Sequence, residues 1–148
     1  MRFVSEVLRR KGHDVASVRP DQTVFEMLEL MSRLNIGAVV VLEGSGEDAR
    51  LVGIATERDY ARSVVLLGRS SKDTLVREIM TPDPIVISPS TRTRECLAIM
   101  TERRVRHLPV VHEGRLAGLI SIGDAVKTIM EEQEALIADL ESYISPSL

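Results

Sequence analysis

Tryptophan is absent from this sequence, and only two phenylalanines and two tyrosines stand among its 148 residues. The core must therefore be built from Val, Ile, Leu, Met and Ala. Binding of single-stranded nucleic acid by stacked aromatics has little to work with. Cysteine is nearly absent as well: the lone Cys96 cannot close an intrachain disulfide, which points to a reducing, cytoplasmic compartment. No excess of basic charge is present, with 19 Lys and Arg against 22 Asp and Glu. A binder of phosphate backbones would normally show such an excess. No stretch approaches the ~18 uncharged apolar residues of a transmembrane helix. The start, Met1-Arg-Phe-Val-Ser-Glu-Val-Leu-Arg-Arg-Lys11, lacks the apolar segment of a signal peptide. The length excludes a TIM barrel. A hydrophobic fraction of 44% with 28% charged residues is a globular composition.

What the sequence does contain is itself, twice. Pro20 to Met31 reads PDQTVFEMLELM and Pro89 to Met100 reads PSTRTRECLAIM, with Pro20/Pro89, Glu26/Glu95, Leu28/Leu97 and Met31/Met100 identical at an offset of 69. Further on, Gly53-Ile-Ala-Thr-Glu-Arg-Asp59 faces Gly118-Leu-Ile-Ser-Ile-Gly-Asp124 at an offset of 65. The difference falls in the polar, turn-rich Glu43–Arg50, where the second copy has only His112–Arg115. Loops are where such differences are tolerated.

Each copy implies the same order of elements. Val15–Val18 and Ile85–Ser88 are short β-branched runs, hence extended. A helix follows, with Val24, Met27, Leu28, Met31 and Leu34 at helical spacing in one copy and Cys96, Leu97 and Met100 in the other, where Thr91 is a candidate cap. Two hairpins come next: Ala38–Leu42 with Leu51–Ala55, and Leu108–Val111 with Leu116–Ile120 across Glu113-Gly114. A helix beginning near Asp59 or Asp124 closes each copy, and Gly68 stops the first. The expected fold is mixed α/β (α+β), a tandem of strand–helix–strand–strand–helix repeats. Neither copy is large enough to bury a core alone, so the two should pair about a pseudo-twofold axis. The boundaries read as 1–14 for an N-terminal helical segment, 15–68 and 84–130 for the repeats, 69–83 for a linker and 131–148 for a C-terminal helical extension.

This arrangement closely resembles a cystathionine-β-synthase-type (CBS) domain pair, or Bateman module. The segments that carry the likeness are Arg106-His-Leu-Pro-Val-Val111, Gly114–Asp124, Gly53–Asp59 and Ile79-Met-Thr81. The resemblance implies a stand-alone sensor of the bacterial or archaeal signal-transduction type. It would bind an adenosine nucleotide (AMP, ADP, ATP or NAD(H), in some relatives S-adenosylmethionine), need no metal and regulate rather than catalyse. It also implies composite sites. One would join Ile85, Arg106 and His107 to Thr56, Arg58 and Asp59. The other would join Asp14, Val15, Ala16, Ile36 and Ala38 to Ser121 and Asp124. Lys11 and Arg106 are candidates for phosphate, and Thr81 and Gly123 complete the set.

The residue types suit that chemistry. A carboxylate can accept from both hydroxyls of a ribose diol, the role expected of Asp59 and Asp124. A helix start offers free N–H groups and a positive dipole end to phosphate. The same aspartates would also serve as plain helix-terminal carboxylates, but their recurrence after the same lead-in favours a ligand. Gly123 and Gly37-Ala-Val-Val depart from the usual pattern, so the two sites are not expected to be equal. Cys96 lies on an apolar helix face and reads as a buried, inert thiol. No phosphate loop, nucleophile elbow or zinc-binding His pair is present.

From Asp124 the helical pattern runs on through Val126, Ile129, Met130, Gln133, Leu136, Ile137, Leu140 and Ile144, with Glu131, Glu132, Glu134, Asp139 and Glu141 largely off that face. This stripe should pack on the N-terminal helix, a second copy or a regulated protein. A homodimer is the expectation; neither nucleic acid nor a membrane is an expected partner.

Overall fold

The computed structural model describes residues 2–144. Its backbone divides into two compact units, one made of residues 14–86 and 112–116, the other of residues 2–13, 87–111 and 117–144.

In the unit containing the first repeat, β1 (Ser17–Val18), β2 (Ala38–Glu43), β3 (Arg50–Thr56) and β4 (Thr81–Pro82) form a sheet in that spatial order. β1 runs parallel to β2, and the other pairs are antiparallel. The first four residues of β2, Ala38 to Val41, are all buried, as a strand covered on both faces should be. The helix α2 (Val24–Leu34) packs Val24, Met27 and Met31 inward. Thr23 and Glu26 start it with a reciprocal capping box, and Asn35 ends it in the left-handed conformation at φ 54°. After β3 comes the short α3 (Glu57–Tyr60), which runs into a π-helical turn over Ala61–Val65. Gly68, at φ 68°, follows that turn, as the sequence pattern required. Val18, Val24, Met27, Met31, Val39, Val41, Ala55, Val64, Val76 and Ile79 form the core.

The other unit holds α1 (Val4–Lys11), α4 (Thr93–Arg103), most of β5 (His107–His112) and β6 (Arg115–Ser121), and α5 (Ile122–Ile144). β5 and β6 form a two-stranded ladder. Glu113 and Gly114 between them both have positive φ, 51° and 76°, the conformation of the expected tight turn. Two expectations change here. The extended run at Ile85–Ser88 pairs only through an isolated bridge, Ile87 to Val110. The cause is Pro109. In the first repeat the N–H of Val40, the residue matching Pro109, donates to Ala16 O at 3.1 Å, and a proline has no such proton to give. Thr91 does not cap α4, whose N-cap is Arg92. The Thr91 hydroxyl instead accepts from Ser88 N at 3.1 Å, and its carbonyl accepts from Val4 N at 2.8 Å.

That last bond belongs to a further repeat that sequence reading passes over. Val4 N donates to Thr91 O, Ser5 N to Pro89 O and Thr93 N to Arg2 O. In the other unit Val76 N donates to Gln22 O, Arg77 N to Pro20 O and Val24 N to Thr74 O. Residues 2–8 and 74–80 are thus the same segment at an offset of 72, with Val4/Val76 and Glu6/Glu78 identical. Each segment lies before one repeat in the sequence and packs with the other. Residues 74–80, read from sequence as part of a linker, bury Thr74, Val76 and Ile79 against the first repeat.

A glycine makes room in each case. A Cβ on Gly118 would stand 2.5 Å from Leu8 Cδ2, and one on Gly53 would stand 2.6 Å from Met80 Sδ. Polar contacts add to the hold on α1. Glu131 of α5 takes Arg2 at 3.3 Å and both guanidinium nitrogens of Arg10. The hydrogen bond from Arg10 holds the Glu131 carboxyl down at about 2. α5 itself is buried at Ala125, Thr128 and Ile129, whereas Leu136, Ile137, Leu140, Tyr143 and Ile144 are exposed.

The Leu8–Gly118 contact can be tested by a double-mutant cycle. Gly118→Ala should destabilise the protein by about 1–3 kcal/mol through overpacking, and Leu8→Ala by about 2–5 kcal/mol through the cavity it leaves. In the Leu8→Ala background, Gly118→Ala should cost clearly less, as read by urea denaturation. Strict additivity would mean that the two residues do not meet.

Candidate functional site

The two places where a repeat's last strand turns into its last helix are built alike. At the end of β3, Thr56 Oγ1 accepts from Asp59 N at 3.2 Å, while Asp59 Oδ2 accepts from Thr56 N at 2.9 Å and from the Thr56 hydroxyl at 3.1 Å. At the end of β6, Ser121 Oγ accepts from Asp124 N at 3.1 Å, and Asp124 Oδ2 accepts from Ser121 N at 2.8 Å. These are capping boxes with Asp in place of the usual Glu. The shorter side chain keeps each carboxylate close to its helix start. Among the described residues, every hydrogen bond to these carboxylates falls on Oδ2. None of these bonds uses Oδ1 of either aspartate.

The two corners differ in their surroundings. Lys11, at the end of α1, places Nζ 2.5 Å from Asp124 Oδ2 and 2.7 Å from Leu119 O. Burial pushes the Asp124 carboxyl up, but the Lys11 hydrogen bond, the Ser121 N–H and the Lys11 charge together outweigh it. The group titrates below its ordinary value. His107, at the start of β5, is pushed down by burial first and then by the Lys11 and Arg106 cations, against the pull of Asp124. Its imidazole is therefore neutral at pH 7. Arg106 itself is exposed, and its carbonyl accepts from Ile122 N at 2.8 Å. Gly123 is exposed in the first turn of α5. So Lys11, Arg106, His107, Ser121, Gly123 and Asp124 all belong to one unit; the contacts and charge effects above draw Lys11, His107 and Ser121 to Asp124, while Arg106 bonds Ile122 through its carbonyl and acts on His107.

The remaining candidates belong to the other unit. Ala38 pairs with Thr56 across β2 and β3, beside Asp59. Glu57 N donates to Gly37 O at 3.1 Å, the counterpart of the Ile122–Arg106 bond. Ile36 and Gly37 line a cleft of about 520 Å³ together with Leu28, Met31, Ser32, Asn35 and Glu57. Arg58 is exposed within α3. Ala16 is tied to β2 through the bond from Val40 N, with Asp14 and Val15 just before it. Thr81 lies opposite Ile54 on the sheet edge and Ile85 is exposed in the segment after β4; among the described residues no hydrogen bond joins either to Asp59. Sequence reasoning passes over Glu57. The signal was present, since Glu57 matches Ile122 in the repeat and so puts a charge where the second copy has an aliphatic side chain. Among the described residues no group of three or more His, Cys, Asp or Glu side chains could hold a metal ion. None of the described helices is long and apolar enough to cross a membrane.

Comparison with known proteins agrees with this architecture. The pattern of the CBS domain matches residues 4–66 and 76–131. Both matches begin at the segments related by the offset of 72. The mitochondrial CBS domain-containing protein CBSX3 of Arabidopsis thaliana is 37% identical over 147 residues, covering 95% of this chain and 71% of its own length. A structure of a protein with CBS domains from Burkholderia ambifaria is 45% identical, with a TM-score of 0.83, and covers 89% of this chain and 96% of its own. At the level of fold alone, the CBS domain pair of protein MJ0100, solved in complex with 5-methylthioadenosine and S-adenosyl-L-methionine, superposes with a TM-score of 0.75 at 20% identity over 89% of this chain and 98% of that one.

Two titrations check the electrostatics. In Lys11→Met the Asp124 carboxyl should titrate higher than in the wild type, as followed by carboxyl carbon NMR; an unchanged titration would mean that the ion pair does not form. His107 has its folded-state value depressed, so the unfolded chain takes up a proton near the ordinary value of about 6.5 before the folded chain does. Its contribution to stability is therefore full above that value and is lost as the pH falls below it. The melting temperature should decline between about pH 7 and pH 5.5, and less steeply in His107→Gln.

Proposed function

The chain belongs to the CBS domain family, and we propose that it is a regulatory module that binds an adenosine nucleotide such as AMP, ADP, ATP or NAD(H). The observation that carries this reading is the pair of repeat-related carboxylates, Asp59 and Asp124, each fixed through Oδ2 by its own helix start. A carboxylate so held is preorganised to accept from the two hydroxyls of a ribose. The free N–H groups beside it suit phosphate. Val15, Ala16, Ile36, Ala38 and Ile85 supply the aliphatic surface that adenine needs in a chain without tryptophan.

The output is a change of assembly or of partner rather than a reaction. The exposed apolar residues of α5, among them Met130, Leu136, Ile137, Leu140 and Ile144, are the surface we assign to a homodimer or to a regulated protein. The cytoplasmic setting fits Cys96, whose buried thiol is pushed up to about 11. A second reading, an interaction module that takes no ligand, draws on the Lys11–Asp124 pair, which satisfies that carboxylate from within the chain.

Calorimetric titration with AMP, ATP, NAD⁺, NADH and S-adenosylmethionine separates the two readings. We expect at least one to bind and to raise the melting temperature, as a ligand specific to the native state must. The double variant Asp59→Asn/Asp124→Asn should bind at least about tenfold more weakly, the loss expected when hydrogen bonds to a charged group are removed. Absence of binding by all five at millimolar concentration would overturn the proposal.

A further inference from the structure

We propose that the two carboxylate corners sort their ligands by charge. The Asp124 corner takes an adenosine compound that carries phosphate, and the Asp59 corner takes one whose 5′ substituent is uncharged or cationic. This rests on the reading that both carboxylates hold a ribose.

The repeat supplies an internal control, because the same backbone frame carries different side chains in its two copies. The bonds from Ile122 N to Arg106 O and from Glu57 N to Gly37 O match Arg106 with Gly37 and Ile122 with Glu57. The same register matches His107 with Ala38 and Gly123 with Arg58. Lys11 has no counterpart: it lies on α1, whereas the chain after residue 80 enters β4, and Asp83 N donates to Val52 O, away from Asp59. Around Asp124 stand two cations, Lys11 and Arg106, and a neutral His107, giving the six positions a net charge of +1. At the five positions that the repeat matches around Asp59, namely Gly37, Ala38, Glu57, Arg58 and Asp59, the one cation is Arg58, giving −1. A difference of two charges, one of them brought by Lys11, decides the sign of the field that a ligand's 5′ end meets.

Local contacts point the same way. The Lys11 ammonium has three protons, and two are directed at Asp124 Oδ2 and Leu119 O. The third is available to a phosphate oxygen. The side chain is 38% exposed, so the head group can turn to a ligand while its stem stays in place. An ammonium against the ribose-binding carboxylate also lets one residue serve both ends of a nucleotide. At the other corner, the hydrogen bonds to the Asp59 side chain among the described residues come from Thr56. No cation lines the neighbouring cleft, and Glu57 turns Oε2 towards it, 3.6 Å from where a Cβ on Gly37 would stand. A phosphate group there would meet a carboxylate at close range. A thioether is indifferent to that charge, and a sulfonium is attracted by it.

The test is calorimetric titration of the full chain with ADP and with 5′-methylthioadenosine, each in the wild type and in Lys11→Met, Lys11→Arg, Asp59→Asn and Asp124→Asn. Lys11→Met and Asp124→Asn should each weaken ADP at least about tenfold and shift 5′-methylthioadenosine by less than twofold. Asp59→Asn should do the reverse. Lys11→Arg should restore most of the ADP affinity, which separates loss of the charge from loosening of α1. ADP binding should weaken steeply with added salt, and binding of 5′-methylthioadenosine should not. Sorting is overturned if Lys11→Met weakens both ligands alike, or if Asp59→Asn is the variant that loses ADP; either result leaves the adenosine reading standing. If neither compound binds the wild type, sorting fails, and the adenosine reading is decided separately by the titration with the five compounds named above.

Discussion

The contact of Leu8 with Gly118, and its counterpart of Met80 with Gly53, is the constraint on which the rest of the structure depends. A side chain at either glycine would occupy the space that the incoming aliphatic group fills. With that space open, a segment of seven residues lies along the last strand of a repeat, donates two N–H groups to the residues before the repeat's first long helix and accepts one in return. Each repeat takes such a segment into its core, and in each case it is the one that precedes the other repeat in the chain. Lys11 reaches Asp124 only because α1 is seated in this way. The candidate site is therefore set up by core packing, and its charges follow from where the apolar residues had to go.

Much of this was legible in the sequence, for identifiable reasons. β2 and β5 are runs of buried residues framed by turns, and a run such as Ala38-Val-Val-Val41 has few ways to be anything but a central strand. Thr23 with Glu26, and Thr56 and Ser121 with aspartates three residues on, write the helix starts directly in the chain. What could not be read depends on distance or on a missing proton. The loss of the ladder at Ile85 follows from Pro109, which lies 24 residues further on, and becomes visible only when the register is known. The likeness of residues 2–8 to 74–80 rests on two identities and several aliphatic exchanges, too little to stand out until the hydrogen bonds coincide. The pairing of Lys11 with Asp124 spans 113 residues, and no local pattern encodes it.

On the proposed function, each of the two aspartates would carry a structural and a chemical task together. A cap needs an oxygen at the helix start, and a ribose needs an oxygen that is already fixed. With Oδ2 taken by the helix start, Oδ1 would serve the second task without conflict. It also means that a ligand at Asp124 pulls on the same side chain that anchors the end of α1. Through Arg10 and Glu131, α1 is in turn fastened to α5, whose far half carries the exposed apolar residues. A ligand at the helix start and a partner at the helix end thus share one continuous element.

The crossed placement of the two segments also sets an order in time. On a chain made from its N-terminus, the apolar residues Val4, Val7 and Leu8 leave the ribosome about 110 residues ahead of Gly118, the position against which Leu8 packs. At roughly 5–20 residues per second, that interval is on the order of 5–20 s. Most of the unit built on residues 14–86 can assemble during this delay, since residues 74–80 follow its strands directly. α1 has to wait, with its apolar face uncovered, until the last strand emerges. α1 is thus made well before it can dock, and the nascent chain carries that apolar face uncovered for those seconds.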